Sequence, residues 1–384
     1  MFYFTYIVIQ KQYFMDNFKV AQSEIKDAHE AVKSIKEQLS GIDACLVLYF
    51  VSTSYSPDTI CKEMADAFSG AHTVGCTTAG EFITGKMGYN SIVAMAWSKN
   101  SLKELKIEFL QNIKTDTQAV AKAFNSFEAS IGHKMKNLNP ERYLGMVIFD
   151  GMSRREEIIN DQIGNLTNVP FIGGTAGDDL KFVCTYIFLD GKAYSEGAIL
   201  LLMEPTNGYS ILKTQSCELT GKRLTPTKVN ENERKVIEFN NKPAAVAYSE
   251  ALGVSIDDLP KYYAAYPLGL VFDEQNIFIR VAQQIEENLS LRFACSLKKG
   301  LELDVVRATD VVADTRADLK KHNINDMKAI VDFHCAYRFI ELDAKNQMKE
   351  YSELFGNVPT IGFSTYGESY IGHMNQTSTM LLLK

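Results

Sequence analysis

Apolar and polar positions along the chain switch between a period of about two and a period of about 3.6. The run ACLVLYFVS at 44–52 is rich in β-branched and aromatic residues, which favours a buried strand. After it, Ser56 and Pro57 resemble a helix start, apolar residues recur at helical spacing, and Gly70 offers a stop. The pattern predicts a strand followed by an amphipathic helix.

The same order of elements returns further along the chain. Residues 142–151 favour a strand and residues 154–166 a helix, after which come another strand and a polar loop. Two more strands follow, with a predicted hairpin turn at Asp190-Gly191. Strand, helix, strand, polar loop, strand and strand therefore occur in this order twice in the first 205 residues.

The last third of the chain starts a new unit. Pro243 and Gly253 mark the two ends of a predicted helix. The segment KAIVDFHCAYRF at 328–339 predicts a buried strand followed by a helix that ends near Gly356. We predict an N-terminal domain over 1–228 and a C-terminal domain over 229–384. The fold class is α/β, with layered sheets, helices on their outer faces and an α-β-β-α sandwich as the preferred arrangement; strand order stays open.

Three polar loops follow predicted strands: GCTTAGE at 75–81, GGTAGD at 173–178 and GFSTYGE at 362–368. Glycine suits positions where the backbone approaches another group closely or takes a positive φ. Threonine and acidic side chains supply hydrogen-bond donors and acceptors at strand ends, where α/β proteins place ligand sites. These loops are either ligand sites or tight turns made polar because they face water.

Composition excludes several classes of function. Hydrophobic residues make up 46% and charged residues 23%, with a net charge of −7 and no basic run, which argues against nucleic-acid binding. No apolar stretch approaches the roughly 20 residues of a membrane-spanning helix. The apolar segment 1–14 lacks the basic start and cleavage site of a signal peptide, and the start at Met1 or Met15 stays open, as does whether residues 1–20 belong to the fold.

The cysteines and histidines indicate neither a disulfide framework nor a metal site. Seven cysteines with no CxxC pair fit reduced thiols in a cytoplasm. Six histidines show no ligand spacing, so the sequence predicts no metal and no cofactor.

The sequence gives weak support to the hypothesis that the protein is an enzyme. GEFITGK at 80–86 fits a bare phosphate-loop pattern, but Met87 replaces the Ser or Thr that binds Mg²⁺. The runner-up is an enzyme with hydrolase-like activity on a small metabolite and a Cys or Thr nucleophile in a polar loop. Cys76 lies in such a loop and Cys335 follows His334, although His334 would point to the opposite face of a strand from Cys335. A buried cysteine acting as a small hydrophobic residue is the usual case.

The motifs GCTTAGE, FIGGTAGDD, NKPAAVAYSEALG, VDFHCAYR and VPTIGFSTYGE, in that order, resemble the FIST domain proteins over nearly the whole chain from about residue 20. The resemblance implies a FIST N-terminal and a FIST C-terminal domain, and a cytoplasmic sensor of amino acids or related metabolites. Family members often carry kinase, cyclic-dinucleotide or chemotaxis output modules. No residues remain here for such a module, so we expect a separate signalling partner, no turnover, no nucleic acid and no membrane insertion.

Arginine suits a ligand carboxylate, and an acidic side chain suits an ammonium group. Arg280 and Arg338 are therefore candidate carboxylate partners, unless each pairs with a protein acid such as Asp332 or Glu341. The acids of the polar loops are candidate ammonium partners, unless they cap their own turns. The full set of candidate ligand-binding residues is Cys76, Thr77, Thr78, Gly80, Glu81, Gly174, Thr175, Asp178, Arg280, Cys335, Arg338, Thr365, Tyr366 and Glu368.

Overall fold

A computed structural model describes residues 17–273 and 276–384, so the predictions for the first sixteen residues lie outside the described part. Module 1 comprises residues 18–98. Its elements are β1 (Phe18–Ser23), α1 (Ala28–Gln38), β2 (Ala44–Val51), α2 (Pro57–Ala67), β3 (His72–Thr77), β4 (Glu81–Ile83), β5 (Lys86–Gly88) and β6 (Ile92–Ser98).

Module 2 comprises residues 102–205 and has the same order of elements. They are β7 (Leu102–Leu110), α3 (Ala119–Ile131), β8 (Leu144–Phe149), α4 (Glu156–Leu166), β9 (Phe171–Thr175), β10 (Ile187–Leu189), β11 (Lys192–Tyr194) and β12 (Ala198–Pro205). The internal repeat predicted for this part of the chain is confirmed.

Module 3 begins with β13 (Tyr209–Gln215) and is interrupted by an inserted region, residues 217–308. The inserted region contains β14 (Cys217–Leu224), β15 (Pro226–Asn230), β16 (Lys235–Phe239), β17 (Lys242–Pro243), α5 (Ala244–Leu252), β18 (Leu268–Asp273), β19 (Asn276–Arg280), β20 (Ala282–Ile285), β21 (Leu291–Phe293) and β22 (Leu303–Ala308). These strands form two antiparallel sheets around a hydrophobic core of their own.

Module 3 then resumes and completes a third copy of the repeat. Its remaining elements are α6 (Val311–Lys321), β23 (Ala329–Cys335), α7 (Ala336–Ala344), α8 (Met348–Glu353), β24 (Thr360–Thr365), β25 (Glu368–Tyr370), β26 (His373–Met374) and β27 (Thr377–Leu383). Each of the three polar loops therefore follows the third strand of its own module.

Each module builds a six-stranded sheet but sends its short hairpin to another module's sheet. The strand orders are β1-β6-β2-β3-β10-β11, β26-β25-β9-β8-β12-β7 and β13-β27-β23-β24-β4-β5. Module 1 thus completes the sheet of module 3, module 3 that of module 2, and module 2 that of module 1. This cyclic exchange gives the three modules a pseudo-threefold arrangement.

The sheets share one central core. In β2, Leu46, Leu48 and Phe50 face the inner cluster, which also contains side chains from β8 and β23. Val47 and Tyr49 alternate with them and pack against α1 and α2 on the outside. Both faces of the strand are buried, which explains its continuous apolar run. The α/β class with outer helices is confirmed; the α-β-β-α sandwich is not confirmed, since three sheets rather than two meet at the centre.

Three local predictions need correction. The helix α2 begins at Pro57 but ends at Ala67 with Phe68 as its C-cap, so Gly70 is not its stop. Asp190-Gly191 does form a hairpin turn, but it joins β10 to the short β11 rather than to β12. The predicted helix up to Gly356 is divided into α7 and α8.

Among the described residues, no helix combines the length and apolar character needed to cross a bilayer.

The same glycine position recurs in the three modules and brings parallel strands close together. A Cβ added to Gly75, Gly173 or Gly362 would lie 2.0, 1.8 or 2.8 Å from the carbonyl oxygen of the paired residue on the neighbouring strand. These contacts are shorter than real Cβ contacts, so only glycine fits without a shift of the backbone.

We expect Gly173→Ala to lower the free energy of unfolding by about 1–3 kcal/mol, or more, because the methyl group overpacks the sheet. Gly164→Ala is the matched control, since Gly164 is exposed within α4 and no atom lies near its added Cβ. That control should gain about 0.5–1 kcal/mol from helix propensity. Denaturant titration measures both changes, and equal stability of the two variants would contradict the role given to Gly173.

Candidate functional site

The three polar loops meet at one junction. Backbone N–H groups of Ala79, Gly177 and Tyr366 donate hydrogen bonds to the carbonyl oxygens of Ser364, Thr77 and Thr175, at 3.1, 2.9 and 3.2 Å respectively. Each loop therefore contacts both of the others. This convergence of the loops follows from the exchange of hairpins.

The acids of modules 1 and 3 are fully buried beneath the junction. Glu81 accepts hydrogen bonds from Thr78 Oγ1 and from the N–H and hydroxyl groups of Ser91, the last two at 3.1 and 2.8 Å. Glu368 accepts the equivalent pair from Thr377 at 3.1 and 2.8 Å. Burial raises the pKa of both carboxyl groups to about 8. These acids hold the start of a hairpin against the following strand.

The acid of module 2 organises a longer loop. Asp178 accepts hydrogen bonds from the backbone N–H groups of Phe182, Val183 and Cys184 at 2.8, 2.6 and 3.0 Å. The Tyr366 hydroxyl also donates to Asp178. Asp178 is therefore a cap of its own loop, one of the two roles that the sequence left open for it.

This loop holds apolar side chains in a strained backbone conformation. Leu180 and Phe182 have φ values of +62° and +55°, which are rare for residues other than glycine. The exposed ring of Phe182 stacks on Tyr366, with the ring centroids 4.6 Å apart. Such strain clusters at ligand clamps and switch regions, because the surrounding contacts must maintain it.

Phe182 and Tyr366 line a cleft of about 510 Å³ between modules 2 and 3 and the inserted region. Its volume is within the range of small-molecule sites. The lining residues are Gly151, Met152, Arg154, Glu156, Leu180, Phe182, Arg234, Gln283, Gln284, Arg292, Phe293, Ala294, Cys335, Ala336, Tyr337, Ile340, Thr365 and Tyr366.

Three arginines line the cleft, and two of them have acidic partners. Arg234 forms ion pairs with Glu156 and Glu157, both at 2.6 Å, and Arg292 pairs with Glu286. Arg154 is exposed and makes no ion pair with any described residue. Partial burial and then the guanidinium groups of Arg292 and Arg234 lower the pKa of Arg154. Arg154 therefore presents to the cleft a guanidinium group that no ion pair with a described residue neutralises, although the carboxylates of Glu156 and Glu286 act on it from a distance.

The N-terminus of α7 also faces the cleft. Cys335 is the N-cap residue and supplies no side-chain cap, while Ala336 and Tyr337 line the cleft wall. Free backbone N–H groups at a helix start favour anions. The thiol is a poor candidate for a nucleophile, because burial and then the nearby Glu368 raise the pKa of Cys335 well above its ordinary value.

The two arginines selected from the sequence lie elsewhere. Arg338 is buried and donates to Thr315 Oγ1 at 2.7 Å and to the Thr214 carbonyl oxygen at 3.2 Å. Arg280 donates to the carbonyl oxygens of Ile279 and His373 at 3.0 and 3.1 Å. Neither lines the cleft, and neither forms an ion pair with a described residue.

The structure divides the predicted site residues into three groups. Cys335, Thr365 and Tyr366 line the cleft. A second group supports the loops immediately beneath them and consists of Gly174, Thr175, Asp178 and Glu368. Within it, the Thr175 N–H group donates to Thr365 Oγ1 at 2.7 Å. A Cβ added to Gly174 would lie 3.0 Å from the same oxygen. Outside the cleft lining are Cys76, Thr77, Thr78, Gly80, Glu81, Arg280 and Arg338.

Several cleft residues were missed by sequence reasoning. The most important are Arg154, Arg234, Leu180, Phe182 and Tyr337. Arg154 follows the strand end at DGMS, a position that repeats the strand-to-helix junction of α7 and could have been inspected. Arg234 belongs to the inserted region, and no local pattern places it beside module 2.

A second, more open depression of about 630 Å³ lies mainly on module 1, where Cys45 and His72 line it, and includes Asp190 of module 2. It contains none of the predicted site residues. Its lining lacks arginine, and His72 is already paired with Asp190 at 2.9 Å. The cleft between the modules is therefore the better candidate site.

Comparison with known families divides the chain within the inserted region. Residues 45–242 match the FIST N domain, and residues 244–370 match the FIST C domain. The chain belongs to the FIST family. FIST domains are generally sensor domains of signal transduction, and the cleft of this FIST protein lies between the segments matched to the two domains.

Individual relatives add little about function. An uncharacterized protein of Methanocaldococcus jannaschii is 24% identical over 345 residues, covering 84% of this chain and 64% of the relative. The chain thus spans less than two thirds of that relative's length. A solved structure of T. maritima PurL complexed with FGAR aligns with 95% of this FIST chain and with 72% of the PurL chain, at 10% sequence identity. The TM-score of this alignment is 0.20, too low to indicate a shared fold.

The raised pKa of Glu81 predicts a dependence of stability on pH. A carboxyl group with a pKa of about 8 in the fold and 4.5 when unfolded binds its proton more tightly in the fold. Its contribution to stability is complete below pH 4.5 and is lost as the pH rises through 8. We therefore expect Glu81→Gln to flatten the fall in melting temperature between pH 5 and 9.

Thermal melting of the wild-type and Glu81→Gln proteins across this range measures the effect. Glu37→Gln is the control, because Glu37 is an exposed acid on α1 that forms no ion pair with a described residue. Parallel pH profiles for the wild type and Glu81→Gln would show that Glu81 keeps an ordinary pKa in the fold.

Proposed function

We propose that this FIST protein is a cytoplasmic sensor that binds a small carboxylate-bearing metabolite, such as an amino acid, in the cleft between modules 2 and 3 and the inserted region. The observation that carries this proposal is the guanidinium group of Arg154, which forms no ion pair with any described residue and lines a cleft that also receives the N-terminus of α7. Both features favour an anion, and a guanidinium group matches the planar geometry of a carboxylate.

The remaining walls suit the rest of such a ligand. Phe182 and Tyr366 offer a stacked aromatic surface, and Phe293 adds an apolar face from the inserted region. Gln283 and Gln284 are exposed on β20 and provide neutral amide donors and acceptors. The Glu156 carboxylate is already bonded to Arg234, so it supports the site more readily than it accepts a ligand ammonium group.

We propose that occupancy is reported to a separate signalling protein, such as a kinase, a cyclic-dinucleotide enzyme or a chemotaxis component. The cleft has walls from three parts of the fold, and a bound ligand would join them. A ligand that contacts all three walls favours one position of the inserted region relative to modules 2 and 3. The signalling partner would detect this position.

The proposal predicts that binding depends on Arg154 and on the ligand carboxylate. Loss of one charge-assisted contact should cost about 1.5–3 kcal/mol, or roughly a 10- to 100-fold weaker Kd. We expect this loss in Arg154→Asn, because asparagine tolerates the left-handed backbone of Arg154, whose φ is +54°. Replacing the ligand carboxylate by an amide should have a similar effect on the wild type.

A thermal-shift screen of amino acids, dipeptides and organic acids identifies the ligand. A ligand present at a concentration of 100 times its Kd raises the free energy of unfolding by about 2.7 kcal/mol. Calorimetry then compares the wild type, Arg154→Asn and Arg155→Asn. Arg155 is the matched control, because it lies outside the cleft lining and donates to the Lys114 carbonyl oxygen. Full affinity in Arg154→Asn would refute the assignment, and ligand consumption lost in Cys335→Ser would indicate an enzyme.

A further inference from the structure

A second cluster of functional groups lies beside the cleft and is independent of its ligand. Glu157 is in the first turn of α4, Cys295 follows β21 of the inserted region, and His373 begins β26 of module 3. One carboxylate oxygen, the sulfur atom and one ring nitrogen of these residues lie within 4.8 Å of one another. Cys295 and His373 are buried.

The imidazole of His373 has unused hydrogen-bonding capacity. Neither ring nitrogen has a hydrogen-bond partner among the described residues, although the side chain is only 3% exposed. Buried polar groups are nearly always paired, so an unpaired ring requires an explanation. The ring also lies against Gly367, where an added Cβ would be 2.0 Å from His373 Cε1. Backbone packing therefore restricts the ring.

We propose that Glu157, Cys295 and His373 bind a divalent transition-metal ion of the zinc class. A set of one oxygen, one sulfur and one nitrogen donor suits Zn²⁺ or Co²⁺, whereas Mg²⁺ and Ca²⁺ prefer oxygen alone. Three protein ligands leave a fourth tetrahedral position for water. On binding, the Cys295 S–H bond breaks, the proton leaves to solvent and the sulfur forms the bond to the metal, with no change of oxidation state.

Asn375 completes the surroundings of the thiolate. Its Oδ1 accepts a hydrogen bond from Cys295 Sγ at 3.0 Å, and its Nδ2 has no partner among the described residues. A half turn of the amide would present N–H to the sulfur once the thiol proton has left. Asn375 is thus a positioning residue, and such outer partners typically change metal affinity by about 10- to 100-fold.

Two arginines oppose a cation at this place and limit its affinity. Arg234 pairs with Glu157 Oε2 at 2.6 Å, and Arg280 donates to the His373 carbonyl oxygen. Glu157 Oε1 accepts from the Ser296 N–H group at 2.7 Å. Arg234 also pairs with Glu156 at 2.6 Å, so it keeps an acidic partner when Glu157 turns toward a metal. We expect weaker binding than at a site without these charges.

The three ligands come from module 2, module 3 and the inserted region. A bound metal would therefore join the inserted region to the other two modules next to the cleft, whose lining includes Glu156 and Ala294, the chain neighbours of Glu157 and Cys295. Metal binding would act as a structural clamp, and it is expected whether or not the cleft binds a carboxylate.

Titration of the chelator-treated 384-residue chain with Co²⁺ tests the site. We expect one equivalent to produce visible bands of tetrahedral cobalt together with a thiolate-to-cobalt band in the near ultraviolet, and Zn²⁺ to remove both. Cys295→Ser should lose the thiolate band, while Cys61→Ser, which changes a buried thiol on α2, should keep it. Asn375→Ala should bind Co²⁺ about 10- to 100-fold more weakly.

The wild-type spectrum alone can overturn the proposal, so the experiment is decisive even if a variant fails to fold. A folded wild-type chain that binds no stoichiometric Co²⁺, or binds it without a thiolate band, excludes the site. An unchanged thiolate band in folded Cys295→Ser would place the metal at another cysteine and would also overturn the assignment.

Discussion

A sheet edge exposes unpaired backbone N–H and C=O groups, and the fold of this FIST protein depends on how three such edges are covered. The third strand of each module is β3, β9 or β24, and each pairs with a hairpin supplied by another module. These pairs place Ile187 opposite Cys76, Glu368 opposite Gly174 and Phe363 opposite Glu81. Because the exchange is cyclic, the three modules depend on one another, and all contribute to the same core.

The exchange also decides where the polar loops lie. Each loop connects a third strand to the hairpin that leaves for another sheet, so the loops must cross at the centre. Close crossing requires small residues: an added Cβ on Gly177 would lie 2.8 Å from the backbone nitrogen of Ala79. It also removes water from the loop acids, which explains why the pKa values of Glu81 and Glu368 rise rather than fall.

The inserted region encloses one side of this junction and so forms the candidate cleft. Without it, Tyr366 and the start of α7 would form one side of an open surface; with it, Arg234, Arg292 and Phe293 form an opposing wall. The proposed ligand and the proposed metal both act at this contact between the inserted region and the modules. A sensor needs such an arrangement, because binding free energy changes a conformation only where the ligand contacts parts that can move relative to each other.

The local elements and the repeat can be inferred from the sequence alone. Buried strands such as 44–51, the left-handed Gly253 that ends α5, and the glycines next to strand ends follow from periodicity and backbone sterics, which act between near neighbours. The family resemblance also rested on local motifs. These signals sufficed for the α/β class, and three of the residues selected from them, Cys335, Thr365 and Tyr366, line the candidate cleft.

The exchange of hairpins, the burial of Arg338 and the set of residues that line the cleft all depend on long-range packing. The loop acids have similar local sequences, yet Glu81 and Glu368 are sealed in the interior while Asp178 caps an exposed loop, because different neighbours cover them. Arg154, Arg234 and Tyr337 are brought together across long stretches of chain. Contacts of this kind depend on loop closure and packing between modules, and no periodicity of the sequence records which distant side chains will meet.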